Sequence, residues 1–280
     1  MPELPEVENV RTSLRRKIVG QKITHVSVHR PDIIRGPSKP RNMLSGCQIK
    51  EVGRYGKQLA IYTENNGSYE PCICIHLGMT GSLRYEPTSG QSGTQLNHIH
   101  VTWRFSDGGT FFFRDPRRFG GIWTFPTPRQ LRDTRWQHLG PDAVTITAMQ
   151  LTKSLRNRSR NIKSALLDQG IVAGLGNIYV DEILFQCKIH PLTPVKMLCC
   201  KQISSLVRRI HRLLHNAIKA GGSTFKDYQN ANGNHGRFQS QFQVYGRSNQ
   251  RCKQCETTLQ TVTVAGRTSV FCQCCQVLYK

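Results

Sequence analysis

Cys252-Lys253-Gln254-Cys255 is followed, after sixteen residues, by Cys272-Gln273-Cys274-Cys275, and this spacing decides the fold of the C-terminal end of the chain. One Cys-x-x-Cys turn wraps half of a tetrahedral ion, and a second completes a four-cysteine site. Cys252, Cys255, Cys272 and Cys275 are therefore read as the ligands of one Zn2+ ion. Four thiolates leave no open position on the metal, so its role is structural. Cys274 is the spare thiol, because Cys275 restores the spacing from Cys272. Between the turns, Thr261-Val262-Thr263-Val264 and Thr268-Ser269-Val270-Phe271 read as two strands joined by Ala265-Gly266-Arg267, which puts Arg267 at a hairpin tip.

Working back from this module, residues 226–243 are polar and rich in Asn, Gln and Gly, with too little apolar matter to pack, and read as a mobile loop. Before them Leu155, Ile162, Leu166, Ile178, Ile183, Leu206, Ile210, Leu213 and Leu214 recur at helical spacing, after a break at Gly140-Pro141. From about Ile23 to Phe125 the text consists of short alternating or aromatic runs such as Gln58-Leu59-Ala60-Ile61-Tyr62 and Thr110-Phe111-Phe112-Phe113, the signature of antiparallel strands. Val7, Val10, Leu14 and Ile18 mark one short N-terminal helix that Gly20 ends. The expected architecture is multi-domain α+β: an antiparallel β-sandwich with a short N-terminal helix over 1–135, a helical domain over 136–242, and a four-cysteine zinc-finger β-hairpin over 243–280.

Thirty-nine Lys and Arg against seventeen Asp and Glu give a net charge of +22, a self-repelling surface that calls for a polyanionic partner. No apolar run approaches the ~18 residues of a spanning helix, which argues against a membrane role. The acidic, proline-rich start is the wrong chemistry for a secretory signal, and an intracellular, cytoplasmic location is expected. Eleven cysteines, with Cys47, Cys72, Cys74, Cys187 and the Cys199-Cys200 pair scattered in apolar context, read as reduced, buried thiols outside the final cluster.

Met1-Pro2 is a context in which the initiator is removed, exposing a secondary amine. An α-amino group with pKa about 8 is far more available as a nucleophile near neutrality than a lysine at about 10.4. Glu3 supplies a carboxyl for proton transfer beside it. The same residues also read as an ordinary helix start with acidic residues near the dipole.

Pro2-Glu3-Leu4-Pro5-Glu6-Val7-Glu8 resembles the opening of bacterial formamidopyrimidine-DNA glycosylases. The resemblance continues in order through Gly53-Arg54-Tyr55-Gly56-Lys57, His76-Leu77-Gly78-Met79-Thr80-Gly81-Ser82-Leu83, Asp115-Pro116-Arg117-Arg118-Phe119-Gly120, Leu166-Leu167-Asp168-Gln169 with Gly174-Leu175-Gly176-Asn177-Ile178-Tyr179, and Gln243-Val244-Tyr245-Gly246-Arg247. It implies that the helical domain is a helix-two-turn-helix unit with a lesion-capping loop around Ser223 to Phe238, and that the partner is damaged double-stranded DNA. It implies Pro2 as the nucleophile on C1′, Glu3 as acid/base, Lys57 as proton donor at β-elimination, and Arg267 as the finger arginine of δ-elimination. Extruding a nucleotide leaves a hole. Phe119 matches the wedge, Arg117 the side chain facing the orphaned base, and Met79 the filler. His76 and Asn177 match phosphate ligands, and His98 and Arg158 fall where further DNA contacts lie. Lys153, Arg156, Arg158, Arg160 and Lys163 read as a basic track.

The resemblance implies a base-excision-repair enzyme that removes oxidised purines and cleaves the abasic site, working as a monomer because one site meets asymmetric damage. Two rivals stand beside it: a sister endonuclease VIII-like glycosylase for oxidised pyrimidines, and a zinc-dependent DNA-binding protein without catalysis. The second leaves the Pro2-Glu3 start and Lys57 unexplained.

Overall fold

Glu3 and Glu6 start the first helix, the Glu6 carboxylate accepting the Glu3 backbone N–H at 2.8 Å in a capping box. The computed structural model describes residues 2–36, 43–64, 71–88, 97–156, 158–224, 231 and 233–279. The chain divides into two compact units, Met1–Gln137 with Ala220–Arg237 and His138–Lys219 with Phe238–Lys280.

In the first unit, α1 (Leu4–Ile18) buries Val7, Val10, Leu14 and Ile18, the ladder expected of an amphipathic helix. The strands β1 (Ile23–Val28), β2 (Gln48–Tyr55), β3 (Gln58–Glu64), β4 (Cys72–His76), β5 (Ser82–Glu86), β6 (Ile99–Phe105), β7 (Thr110–Arg114) and β8 (Gly121–Phe125) form two antiparallel sheets, ordered β1-β6-β7-β5 and β2-β3-β4-β8. Side chains alternate across a strand. Leu59, Ile61, Ile73, Ile75 and Ile122 therefore join Val101, Trp103, Phe111 and Phe113 of the other sheet in one core, and the sandwich is closed. The opposite face of the second sheet presents Ala60, Tyr62, Cys72, Cys74 and Trp123. It is covered by Leu131 and Trp136 of a wider helical turn, Leu131–Trp136, that continues α2 (Pro128–Gln130).

The second unit holds α3 (Ala148–Leu155), α4 (Ile162–Leu167), α5 (Asn177–Gln186) and α6 (Cys200–Lys219), followed by the hairpin β9 (Gln260–Val264) and β10 (Arg267–Phe271). Nearly every residue of α5 is buried, so it is the central helix. In α6 only one stripe is covered, from Ile203 through Leu206, Val207, Ile210, Leu213 and Leu214 to Ala217. The link from α4 to α5 is held by Gln169, whose Nε2 donates to the carbonyls of Leu167 and Leu175 and whose Oε1 accepts the Gly174 N–H. This is the helix-two-turn-helix the resemblance implied.

Three expectations are corrected here. Cys47, Cys72 and Cys74 are buried and Cys187 is partly so, but Cys199 and Cys200 are exposed, because they precede the first buried residue of α6. Lys163 belongs to no basic track: it is fully buried, with its ammonium on Asp181 Oδ1 at 2.5 Å. The end of the stretch read as a mobile loop is packed, since Phe238 and Phe242 are buried and Phe238 lies against the Tyr179 ring of α5. No helix among the described residues is long and apolar enough to cross a membrane.

Candidate functional site

Pro2 and Glu3 lie buried at the mouth of α1. Glu6, one turn on, is the anchor there. Besides the Glu3 N–H, its carboxylate accepts the Ser223 N–H at 2.7 Å and the Ser223 hydroxyl at 2.9 Å. Chain that follows the helices in sequence is thereby tied to the start of α1, and the Ala231 N–H reaches Ser13 Oγ further along the same helix at 3.2 Å. Of the segment implied to cap a lesion, residues 225–230 and 232 lie outside the described residues. Sequence alone reads Glu6 only as part of a helix start, and the Glu3-x-x-Glu6 spacing is the available signal of its capping role.

Lys57, largely buried, occupies the turn between β2 and β3, where Tyr55 pairs with Gln58 and Gln58 in turn pairs with His76 on β4. The turn residue and the imidazole are thus brought to one end of the sheet. His76 Nδ1 accepts the Gly78 N–H at 3.1 Å, which assigns the ring proton to Nε2. Burial, and after it the charges of Lys57 and Arg135, pushes the imidazole down to about 4, so it is a neutral donor at physiological pH.

Two loops beyond His76 carry the implied wedge. Thr80 Oγ1 donates to Asp115 Oδ1 at 2.5 Å and accepts the Arg117 N–H at 3.2 Å, while Asp115 Oδ2 accepts the Gly120 N–H at 2.7 Å. The loops touch backbone to backbone at Gly78. Its φ is +63°, and a Cβ there would stand 2.4 Å from Gly120 N, so only glycine fits. On this welded base Met79 and Phe119 stand out from the surface, 44% and 54% exposed, and the Arg117 guanidinium lies 4.7 Å from the Phe119 ring centre. Large apolar side chains held out to solvent on a rigid base are suited to insertion between stacked bases. His98 is exposed at φ +69°, and its carbonyl accepts the Asp115 N–H.

In the second unit Asn177 is the first residue of α5, and its Nδ2 donates to the Thr268 carbonyl of β10 at 2.9 Å. The helix start and the finger hairpin are therefore brought together. Arg267 is the first residue of β10, paired with Val264, so the turn itself is Ala265-Gly266, with φ of +49° and +69°. This shifts Arg267 by one place from the tip that the sequence suggested. Its side chain is exposed. Arg158 lies just past α3, exposed, with Nε bonded to the Ser154 carbonyl, apart from the Asn177 and Arg267 pair in sequence and bonding. Arg160 is engaged with Asp168 at 2.7 Å.

The sulfurs of Cys252, Cys255, Cys272 and Cys275 all lie within 4.8 Å of one another, with separations of 3.4 Å from Cys255 to both Cys272 and Cys275 and 3.9 Å from Cys252 to Cys275. A tetrahedron with Zn–S of about 2.3 Å has edges of about 3.8 Å, so the four fit one such ion. The N–H groups of Gln254 and Cys275 point at Cys252 and Cys272 sulfurs, as thiolates require. Cys274 is exposed and outside the set. Two acids absent from the sequence reading hold this module. Asp181 bonds both Lys163 and the Val270 N–H, and Glu182 accepts the N–H groups of Gln243, Val244 and Tyr245. Burial pushes the Asp181 carboxyl up to about 6 against the opposing pull of Lys163.

The family model described as formamidopyrimidine-DNA glycosylase N-terminal domain matches residues 1–122, and that described as formamidopyrimidine-DNA glycosylase H2TH domain matches residues 139–229. The formamidopyrimidine-DNA glycosylase of Bacillus licheniformis is 38% identical over 99% of both chains. Among solved structures, the wild-type Lactococcus lactis Fpg in complex with DNA containing N7-benzyl-Fapy-dG superposes with a TM-score of 0.87 at 34% identity, covering 98% of this chain and 99% of that one. The same L. lactis protein in complex with DNA containing an oxidised pyrimidine gives 0.86 at 35% identity over 98% and 99%. Matched by these models from one unit into the other, and by a full-length relative at this identity, the chain belongs to the formamidopyrimidine-DNA glycosylase family.

Proposed function

We propose that this protein excises oxidised purines, 8-oxoguanine and formamidopyrimidines, from double-stranded DNA and cuts the resulting abasic site by β,δ-elimination. The observation that carries the reading is the pairing, in one unit, of a Pro2-Glu3 helix start with the exposed Met79, Arg117 and Phe119 on two interlocked loops. Phe119 enters the stack, Arg117 meets the widowed base and Met79 fills the void. After removal of Met1, the Pro2 amine attacks C1′, the glycosidic bond breaks and the base leaves with the electron pair and a proton. That proton comes from the Pro2 amine, and Glu3 then protonates O4′ as the C1′–O4′ bond breaks, which opens the sugar ring and leaves an iminium on C1′. The iminium acidifies C2′; loss of a proton there expels the 3′ phosphate with Lys57 as donor, and a second proton loss, at C4′, expels the 5′ phosphate beside Arg267. His76, with its proton on Nε2, and Asn177 hold flanking phosphates, while His98 and Arg158 make outer contacts.

Zinc, held by Cys252, Cys255, Cys272 and Cys275, supplies no chemistry to the reaction; it sets the conformation of the hairpin that presents Arg267. The protein acts as a monomer on cellular DNA.

Borohydride trapping on duplex containing 8-oxoguanine tests the reading: wild type cross-links, Pro2→Gly does not, and Glu3→Gln blocks base release more than cutting at a preformed abasic site. A processed wild type that never cross-links would overturn it. A second reading, preference for oxidised pyrimidines, draws support from the L. lactis complex with such DNA. Faster release of thymine glycol opposite adenine than of 8-oxoguanine opposite cytosine would favour it.

A further inference from the structure

The Gly56-Lys57 turn is gripped on both sides by side chains to which the resemblance gave no role. On one side Arg54 Nη1 donates to the Gly56 carbonyl at 2.9 Å while its Nε donates to Glu8 Oε2 at 2.8 Å. Glu8 is on α1, the helix that begins beside Pro2 and Glu3, and Arg11 also holds it through Nη2 at 2.6 Å. Burial alone would raise the Glu8 carboxyl, but the hydrogen bonds and charges of Arg11 and Arg54 outweigh it and keep it below the usual carboxylate range. The Arg54 and Glu8 side chains are 8% and 17% exposed, so the bond between them is desolvated and directional.

On the other side Gln58 Oε1 accepts three donors: Arg135 Nε at 2.7 Å, Cys74 Sγ at 3.1 Å and Trp136 Nε1 at 3.2 Å. Three donors on one amide oxygen leave a single orientation for Gln58. Trp136 also stacks on Tyr55, ring centres 5.5 Å apart and 25° from parallel. Tyr55 and Gln58 are the residues that close the turn, so the indole holds both of its ends.

We propose that Glu8, Arg54, Gln58 and Trp136 are positioning residues for Lys57, holding its turn at a set distance from the N-terminal end of α1 so that the lysine meets the sugar carried on Pro2. The proposal rests on the roles given to Pro2 and Lys57 above. A helix is stiff, so a bond from Glu8 through Arg54 to the turn backbone converts the place of the helix start into the place of the lysine. A displacement of about 1 Å in a reacting group can cost on the order of a hundredfold in rate. Base release uses Pro2 and Glu3, so the brace bears on strand cutting and not on loss of the base.

The test is single-turnover cutting of a preformed abasic site, with borohydride trapping in parallel, for wild type, Arg54→Gln, Trp136→Phe, Lys57→Ala and the double variants with Lys57→Ala. Arg54→Gln is expected to slow cutting by roughly tenfold or more with trapping at or above the wild-type level. Trp136→Phe keeps an aromatic face on Tyr55 but loses the indole donor and the fused ring that packs on the Leu131 cluster, so about a threefold slowing is expected, with a fall of a few degrees in melting temperature that Lys57→Ala does not share. Neither substitution should slow cutting further in the Lys57→Ala background. An equal cost with and without Lys57, or a loss of trapping that matches the loss of cutting, overturns the proposal. A wild-type rate for Lys57→Ala alone removes the reading of Lys57 and the proposal with it, and that single variant tells the two failures apart.

Discussion

Two hairpins in this molecule each present one basic side chain, Lys57 at the end of β2 and β3 and Arg267 at the start of β10, and they are held by different means. The first grows out of a sandwich with a large shared core, and hydrogen bonds from Arg54 and to Gln58 are enough to set its turn. The second belongs to a short C-terminal stretch whose apolar contribution is small, Val244, Leu259 and Val270 packed with Phe185, together with the buried Val264 and Phe271. A module of that size cannot bury enough surface to order itself. Its four cysteines and the buried Asp181 supply what the core does not. The lesson is that a hairpin rising from a thin core leans on a four-cysteine cluster and buried acids, while one rising from a thick core is set by side-chain hydrogen bonds.

The largest expected effect breaks one hairpin and spares the other. Stripping zinc with a chelator, or Cys272→Ser, should abolish damaged-DNA binding and cutting together, since structural zinc sites contribute on the order of 10 kcal/mol to the fold they close. Circular dichroism should still report the sandwich; loss of the β signal as well would show that the two hairpins do not stand on separate supports. Next, Lys163→Ala leaves Asp181 buried without its partner, at a cost of about 3–5 kcal/mol in urea unfolding. Cutting by the folded fraction should fall, because the Val270 N–H, on the same strand as Arg267 and three residues along it, bonds the same carboxylate. A cost under about 1 kcal/mol would mean that the pair contributes nothing to holding the finger.

Phe119→Ala touches neither hairpin and serves as the control. Release of 8-oxoguanine from duplex should drop by roughly tenfold or more as the wedge is lost, stability should change by no more than about 0.5 kcal/mol, and cutting of a preformed abasic site should suffer less. Equal losses in both assays would assign Phe119 to something other than extrusion. The smallest effect concerns His76. Its folded value lies near 4, below that of a free imidazole at about 6.5. Between these limits the unfolded chain binds a proton that the folded one does not, so stability should rise with pH across that window and His76→Gln should flatten the slope. A titration of the His76 ring by NMR with a midpoint at or above the free-imidazole value of about 6.5 would contradict this.

Much of this was legible from text because the information is local. The four-cysteine cluster follows from two short spacings, and the run Gln58-Leu59-Ala60-Ile61-Tyr62 reads as a strand from its composition and the turn residues around it. The misreadings share one cause. Lys163 looks like its neighbours Arg160 and Arg158 until Asp181, eighteen residues on, is folded against it. Cys199 and Cys200 look like core thiols until the phase of α6 is known. Glu182, Gln58 and Trp136 carry no motif chemistry of their own, and their importance lies in which distant partners they meet; Glu6 shows locally only its capping role, and its bonds to Ser223 appear only in the fold.

The amino-acid sequence by itself therefore determined the sandwich, helix and finger composition of the chain, the four-cysteine cluster and the resemblance that names the implied chemistry, because each rests on spacings of a few residues. Only the tertiary structure decided that Ser223 returns to Glu6, that two loops lock at Gly78 so that Met79, Arg117 and Phe119 stand together, that Asn177 reaches the Arg267 hairpin, and that Glu8 and Trp136 reach the Lys57 turn. Those contacts join residues far apart in the chain, and whether two such groups meet depends on how whole elements pack, which no local pattern encodes.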